Sequence, residues 1–299
     1  MTSDKVSAGD AGAWFLGDFR VNRIGLGAMR LTGRAAFHEG TPRDRSQAIG
    51  VLRRAVELGV NHIDTAAFYF SSLRSANELI NTALTPYRDD LVIATKVGPV
   101  RDASGEWAAP ARPEQLRGQV EENLRQLGRD HLDLVNLRIM GQAAISEHFG
   151  ALAELRDAGL VRHLGISNAS LDHLAEAQAI APVVCVQNRY GIDARGGEQM
   201  LHACATHDIA FVPYFAIAGD GRESGAGRSE HEQVLNVAHA HGISPAQVRL
   251  AWVLHQGRHV LAIPGTGNPD HLIDNLAAGT LQLSEEELGL LDSIGHPAV

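Results

Sequence analysis

Apolar positions along the chain alternate between a spacing of about 3.6 residues and a spacing of two, and each switch marks a boundary between elements. Ala48, Val51, Leu52, Ala55, Val56 and Leu58 recur at helical spacing, so 43–58 is predicted as a helix with Gly59 at its C-cap. An extended run at 61–64 follows. The same unit then repeats as helix 76–84 with strand 91–96, helix 114–127 with strand 132–137, and helix 145–158 with strand 161–166. It continues as helix 171–180 with strand 183–187, helix 198–207 with strand 209–214, and helix 246–255 with strand 260–263. A last helix is predicted at 271–278, and Ser284 before Glu287 is a further helix-start pattern. Ahead of all this, 14–21 reads as a hairpin turning at Gly17 and Asp18, and 24–28 as a short buried segment.

Counting that segment, about eight strands each have a helix behind them, which is what one (β/α)8 barrel requires. The expected fold is therefore α/β, a single TIM barrel over residues 1–299 with a short N-terminal β-hairpin. The Gly-rich stretch 218–229 is read as an active-site loop instead of a linker, because periodicity resumes directly after it.

Composition narrows the partners. Hydrophobic residues make up 44% and charged residues 20%, enough apolar material for a large core. With 26 Lys and Arg against 35 Asp and Glu the net charge is -9, so no basic stripe recommends a nucleic acid. The first dozen residues lack an apolar signal core, and no run of about 18 apolar residues occurs, so neither secretion nor a membrane partner is expected. Cys185 and Cys204 lie in apolar or helical surroundings and read as buried thiols in a reducing cytoplasm.

In such a barrel the catalytic groups stand at the C-terminal ends of the strands. Asp64 ends one predicted strand with Tyr69 just beyond, Lys96 ends the next, and Arg138 follows the third. Ser167 and Asn168, then Gln187 and Asn188, end the two after that. Singly, Asp64 reads equally as a cap, Lys96 as a solvated lysine and Tyr69 as a loop aromatic. Together they have a specific use: an ammonium lowers a phenol's pKa, and a carboxylate keeps that ammonium charged and oriented. Tyr69 is then expected to donate a proton near neutral pH. Phe68, Phe70, Trp107, Met140 and Phe215 are candidate apolar walls of the pocket.

Other signals carry less. Gly25-Leu26-Gly27 lacks the third glycine of a dinucleotide fingerprint and fits close backbone approach to a ligand. His239 and His241, two apart on a helix, point to different faces, so no metal is expected there. No Gly-x-Ser-x-Gly elbow anchors a hydrolase reading.

The segments GVNHIDTAAFY (59–69), LVIATKVG (91–98), HLGISN (163–168), VQNRY (186–190) and IPGTGNPDHLIDNLAA (263–278) resemble the aldo-keto reductase family in order and spacing across nearly the whole chain. The resemblance implies an NADPH-dependent carbonyl reductase acting on a small-molecule aldehyde or ketone, with Tyr69 as general acid tuned by Asp64 and Lys96. It also implies that Ser167, Asn168 and Gln187 hold the nicotinamide carboxamide, with Tyr214 stacked on the ring and Gly27 close by. The matching positions toward the adenosine end are Thr266, His271, Asp274 and Asn275.

Two departures qualify it. Where the family usually has a histidine after the fourth strand, the chain reads Asp133-Leu134-Val135-Asn136-Leu137-Arg138. Arginine is no proton shuttle, yet it is a strong fixed donor to a developing oxyanion; the competing reading is an arginine that pairs with a carboxylate on the barrel rim. Some bacterial members resembling pyridoxal reductases share the NLR sequence, which makes pyridoxal or pyridoxine a candidate substrate. Gly265 stands where many relatives place a lysine against the 2′-phosphate of NADPH, so NADH stays open. His271, Arg222 and Arg228 are the candidate replacements for that charge. Two other functions compete: an NADP-binding sensor with little turnover, and a Schiff-base aldolase built on Lys96, against which Asp64 argues.

Overall fold

The computed structural model describes residues 6–33, 42–102, 105–217 and 230–294. The Gly-rich stretch 218–229, with Arg222 and Arg228, lies outside them.

The N-terminal hairpin pairs β1 (Ala13–Leu16) with β2 (Phe19–Asn22) in antiparallel register, Leu16 opposite Phe19, and the turn falls at Gly17 and Asp18 as expected. Seven parallel strands then run in chain order: β3 (Leu26–Gly27), β4 (His62–Asp64), β5 (Val92–Val97), β6 (Leu132–Arg138), β7 (Val161–Ser167), β8 (Val183–Gln187) and β9 (Ala210–Phe211). The eighth position differs from the expected strand 260–263. It is held by isolated bridges, Phe211 to Val260 on one side and Ile24 to Ala262 and Gly27 to Gly265 on the other. Those bridges join the last strand to the first and close a (β/α)8 barrel. Pro264 sits in this segment and lacks the N–H a regular ladder would use, while its carbonyl accepts from Gly27 at 3.2 Å.

The helices that cover the barrel are α1 (Arg45–Glu57), α2 (Ala76–Leu84), α3 (Leu116–Leu127), α4 (Ser146–Asp157), α5 (Leu171–Gln178) and α6 (Glu198–Thr206). They continue as α7 (Glu232–His241), α8 (Pro245–His255), α9 (Pro269–Ala277) and α10 (Glu285–Asp292). Their ends obey local chemistry. Asp44 caps α1 through Gln47 N, Ser244 with Gln247 forms a capping box at α8, and Ser284 with Glu287 does the same at α10. The helix expected from 114 starts at 116 after a 3₁₀ turn (Pro113–Gln115), and the strand expected over 209–214 is regular only at Ala210–Phe211. Among the described residues no helix is long and apolar enough to cross a membrane.

Strand alternation divides the core in two. Outward residues such as Ile63, Ile93 and Val135 pack against the helices in the larger cluster. Inward residues Val92, Ala94, Leu134, Cys185 and Ala210 pack with Leu16 and Val21, so the hairpin plugs the N-terminal end of the barrel. Both cysteines are free and buried, and burial pushes the Cys204 thiol up to about 12.

His62 is the inward residue one layer below Asp64. Gly25 is required beside it, since a Cβ there would come within 2.2 Å of His62 Nε2. Burial lowers the His62 pKa from 6.5 to about 4, so the folded protein holds the ring neutral while the unfolded chain protonates it at higher pH. The stability this supports is intact above pH 6.5 and falls progressively toward pH 4, by on the order of 3 kcal/mol. We expect Tm to fall across that window in the parent protein and the fall to be shallower in His62→Leu. An identical slope in both proteins would remove His62 as its cause.

Candidate active site

Period-2 alternation carries the inward rows upward to polar ends. On β4 the inward residues are His62 then Asp64, on β5 Val92, Ala94 then Lys96, and on β6 Leu134, Asn136 then Arg138. Parallel register sets these ends side by side: Gly27 opposite Asp64, Arg138 opposite Ser167, and Ser167 opposite Gln187. The strand-end residues singled out in the sequence therefore converge on one mouth.

Lys96 Nζ donates to Asp64 Oδ1 at 2.6 Å and to the Thr65 carbonyl at 2.9 Å, and Gln187 Nε2 donates to Asp64 Oδ2 at 2.8 Å. Both carboxylate oxygens are thus engaged, and the ion pair is buried. The Tyr69 ring lies over the pair, its centroid 4.9 Å from Lys96 Nζ, with its hydroxyl hydrogen-bonded to that ammonium. For Lys96, burial alone lowers the pKa, but Asp64 and Tyr69 outweigh it and the net shift is upward, so the ammonium stays charged.

Tyr69 departs from the expectation. Burial raises its pKa above the ordinary tyrosine value; Lys96 and Arg138 pull it down, Asp64 pushes it up, and the net direction is upward. The phenol is stored protonated instead of being poised near neutrality, because desolvation of a phenolate exceeds the help of two cations.

Arg138 is half-buried in the wall. Its Nη1 lies 3.3 Å from Ser167 Oγ, and its guanidinium carbon is 5.0 Å from the Tyr214 ring centre. It forms no ion pair with a carboxylate among the described residues, which corrects the reading of a rim salt bridge.

These groups open on a cavity of about 630 Å³ lined by Gly27, Asp64, Tyr69, Lys96, Arg138, Gln187, Tyr214, Thr266 and His271. Phe68, Trp107, Met140 and Phe215 form apolar wall as expected, whereas Phe70 does not line it and instead packs under Arg101, 4.6 Å from ring centre to guanidinium carbon. Four of the positions matched by resemblance stand outside the lining. Ser167 is buried behind Arg138. Asn168, exposed and left-handed at φ 59, uses its amide to bond Ile139 O and accepts from the Tyr214 hydroxyl at 3.2 Å. Asp274 is exposed and Asn275 buried, each about one helical turn beyond His271 on α9, which carries them roughly 5 Å away from the rim.

Two residues were missed. Arg30 and Arg43 line the end of the cavity beside Gly265–Asn268. Arg43 Nη1 donates to Gly267 O at 3.1 Å and its Nε to Arg30 O at 3.2 Å. A Cβ on Gly265 would lie a tight 3.1 Å from Gly27 O and in ordinary contact with Arg30 Cγ at 3.5 Å, so Arg30 runs alongside position 265. The Arg43-Asp44-Arg45 run was the available signal, absorbed in the sequence as a helix start.

A parallel barrel whose mouth joins a buried carboxylate, a lysine and a tyrosine defines a class of enzyme, and the chain belongs to it: the Aldo/keto reductase family model matches residues 23–296. The chain is 44% identical over 288 residues to pyridoxine 4-dehydrogenase of Escherichia coli, covering 94% of this chain and 97% of that protein. It is 38% identical over 294 residues to an uncharacterized oxidoreductase of Schizosaccharomyces pombe, covering 98% and 93%. Among solved structures, an aldo/keto reductase of Klebsiella pneumoniae in complex with NADP and acetate superposes with TM-score 0.75 at 30% identity, over 93% of each chain. The protein is thus an NAD(P)H-dependent oxidoreductase with a barrel fold and a nicotinamide cofactor.

The residues present fit such a cofactor. Gln187 Oε1 is buried with no partner, an acceptor suited to an amide N–H. Gly27 lines the cavity where a Cβ would meet Ile263 O at 2.6 Å, so backbone alone faces the ligand there. At the other end Arg30, Arg43 and the N-terminus of α9 supply positive charge for phosphate.

Proposed function

We propose that this protein is an NADPH-dependent carbonyl reductase that converts an aldehyde to an alcohol reversibly, with pyridoxal and pyridoxine as the candidate pair. The observation that carries it is the buried Lys96 to Asp64 bond of 2.6 Å beside Tyr69, at the floor of a cavity of about 630 Å³. The substrate reading rests on the likeness to pyridoxine 4-dehydrogenase. The bound nicotinamide supplies a hydride.

Tyr69 gives its proton to the carbonyl oxygen as negative charge develops there, and Lys96 and Arg138 stabilise the phenolate left behind. Asp64 holds the ammonium in place and charged, which disfavours the aldolase reading because a protonated amine is no nucleophile. Arg138, unable to give up its proton, donates a fixed hydrogen bond to the same oxygen. Gln187, with Tyr214 and Gly27 nearby, holds the nicotinamide end; Thr266 and His271 hold the adenosine end. Arg30 and Arg43 take over the charge absent at Gly265, which favours NADPH over NADH. The buried free thiols accord with a reducing cytoplasm.

The test is cofactor oxidation against a panel of small aldehydes, ketones and pyridoxal with NADPH and with NADH. Cofactor retention with no turnover on any carbonyl would support the sensor instead. In the same assay, Arg138→Ala should lose about 2 to 4 kcal/mol of transition-state stabilisation, and Arg138→His should keep measurable reduction. An Ala variant that melts earlier but reduces its aldehyde as well as the parent would leave Arg138 a bracing role only.

A further inference from the structure

The charge of Arg138 faces the cavity. Arg249 bonds Asp193 and Glu230, Arg195 bonds Glu198 and Asp292, and Arg129 bonds Asp133, while the half-buried Arg23 donates to the Val260 and Gly257 carbonyls. Among the described residues Arg138 contacts the neutral Ser167 hydroxyl, at 3.3 Å, and the Tyr214 ring face, and pairs with no carboxylate. The nearby carboxylate, Asp64, is already matched by Lys96 and Gln187. The floor of the site therefore carries one positive charge in excess, half-buried and facing the space where substrate must lie. Reduction of a plain aldehyde uses a guanidinium only as a hydrogen-bond donor, which a neutral amide could supply.

We propose that Arg138 makes this site selective for carbonyl compounds bearing an ionised oxygen on the carbon next to the one that carries the carbonyl group, as in an aromatic aldehyde with an ortho phenolate. The proposal rests on the carbonyl-reductase reading and narrows its substrate class. The two oxygens of such a compound lie side by side, much as in a carboxylate, and a guanidinium presents two parallel N–H donors in a rigid fork that matches them. One donor meets the carbonyl oxygen, whose other lone pair is left for Tyr69. The second donor meets the phenolate and neutralises the open charge. Phe68, Trp107, Met140 and Phe215 then offer apolar surface to the ring. Pyridoxal, whose ring hydroxyl is ortho to its aldehyde, is a member of this class. The charged and titratable groups around the substrate oxygens are Arg138 on β6, Lys96 on β5, Asp64 on β4, and Tyr69 and Tyr214 on loops, with Arg101 behind Trp107 at 5.5 Å. The other charges also act on the phenolate, so the comparison of the parent with Arg138→Gln, in which they are all unchanged, isolates the guanidinium.

The experiment measures kcat/KM with NADPH for 2-hydroxybenzaldehyde, its 5-nitro derivative, 2-methoxybenzaldehyde and benzaldehyde across pH. The parent should prefer ionised 2-hydroxybenzaldehyde over the methoxy and unsubstituted compounds by about 10- to 100-fold. The rise of that preference with pH should follow the substrate's own hydroxyl, so the more acidic nitro compound should gain it at lower pH. Arg138→Gln should bring the ratio close to one, and Arg138→Lys should retain part of it. Equal kcat/KM for the hydroxy and methoxy compounds in the parent, a preference that ignores the nitro group, or a preference that survives in Arg138→Gln would overturn the proposal while leaving the reductase reading intact. Failure of the parent to reduce any of the four would overturn that reading and the proposal together.

Discussion

Tyr69→Phe should retain its affinity for NADPH and lose at least about 10²-fold in kcat. The substitution deletes one hydroxyl, which is hydrogen-bonded to Lys96 at the floor of the cavity, and leaves Arg30, Arg43 and His271 of the lining unchanged. Cofactor binding, read by quenching of protein fluorescence or by the shift of Tm with NADPH, should therefore stay near the parent value. Turnover should not: Lys96 is bound to Asp64, Arg138 cannot release a proton, and the Tyr214 hydroxyl is given to Asn168 Oδ1 at 3.2 Å. Unchanged turnover in this variant would remove Tyr69 from the role of proton donor.

Lys96→Met should fail in two separable ways. Removing the ammonium leaves Asp64 ionised, buried and held only by Gln187, which costs about 3 to 5 kcal/mol of stability. Asp64→Asn in the same protein should recover much of the lost Tm by neutralising that carboxylate, yet leave turnover depressed by about 10²-fold or more. The pH profile separates tuning from packing. The Lys96 charge lowers the Tyr69 pKa, so its loss lets that pKa rise further and moves the alkaline limit of carbonyl reduction to higher pH. A Lys96→Met profile that overlays the parent's would show that the lysine does not act through Tyr69.

Much of the scaffold was legible because period and position suffice for it. The switch between helical and two-residue spacing located the helices and most strands, and alternation within β4, β5 and β6 fixed which of their terminal residues face inward. The closing segment at 260–265 was legible as extended but not as bridges, because its pairing depends on Gly27 and Pro264 meeting across the barrel. At the site, strand-end position found Asp64, Lys96, Arg138 and Gln187. It could not show that Gln187 binds Asp64 or that Arg138 meets the Ser167 hydroxyl, since both depend on side-chain geometry between different strands. The sign of the Tyr69 shift was also out of reach, because pairing with Lys96 is suggested by spacing but desolvation is known only once the cavity is built. Arg30 and Arg43 were missed for a related reason: their places beside Gly265 and Gly267 follow from side-chain contacts and from no periodic pattern.

The central claim is hydride transfer to a carbonyl carbon with proton donation from Tyr69. Its most direct test incubates the protein with pyridoxal and NADPH carrying deuterium at the transferable position, followed by mass analysis of the product. The account predicts one alcohol per cofactor oxidised, with deuterium on the new carbinol carbon in the parent and almost no product in Tyr69→Phe. Parent protein that binds the cofactor yet forms no labelled alcohol from pyridoxal or from any aldehyde of the panel would contradict it.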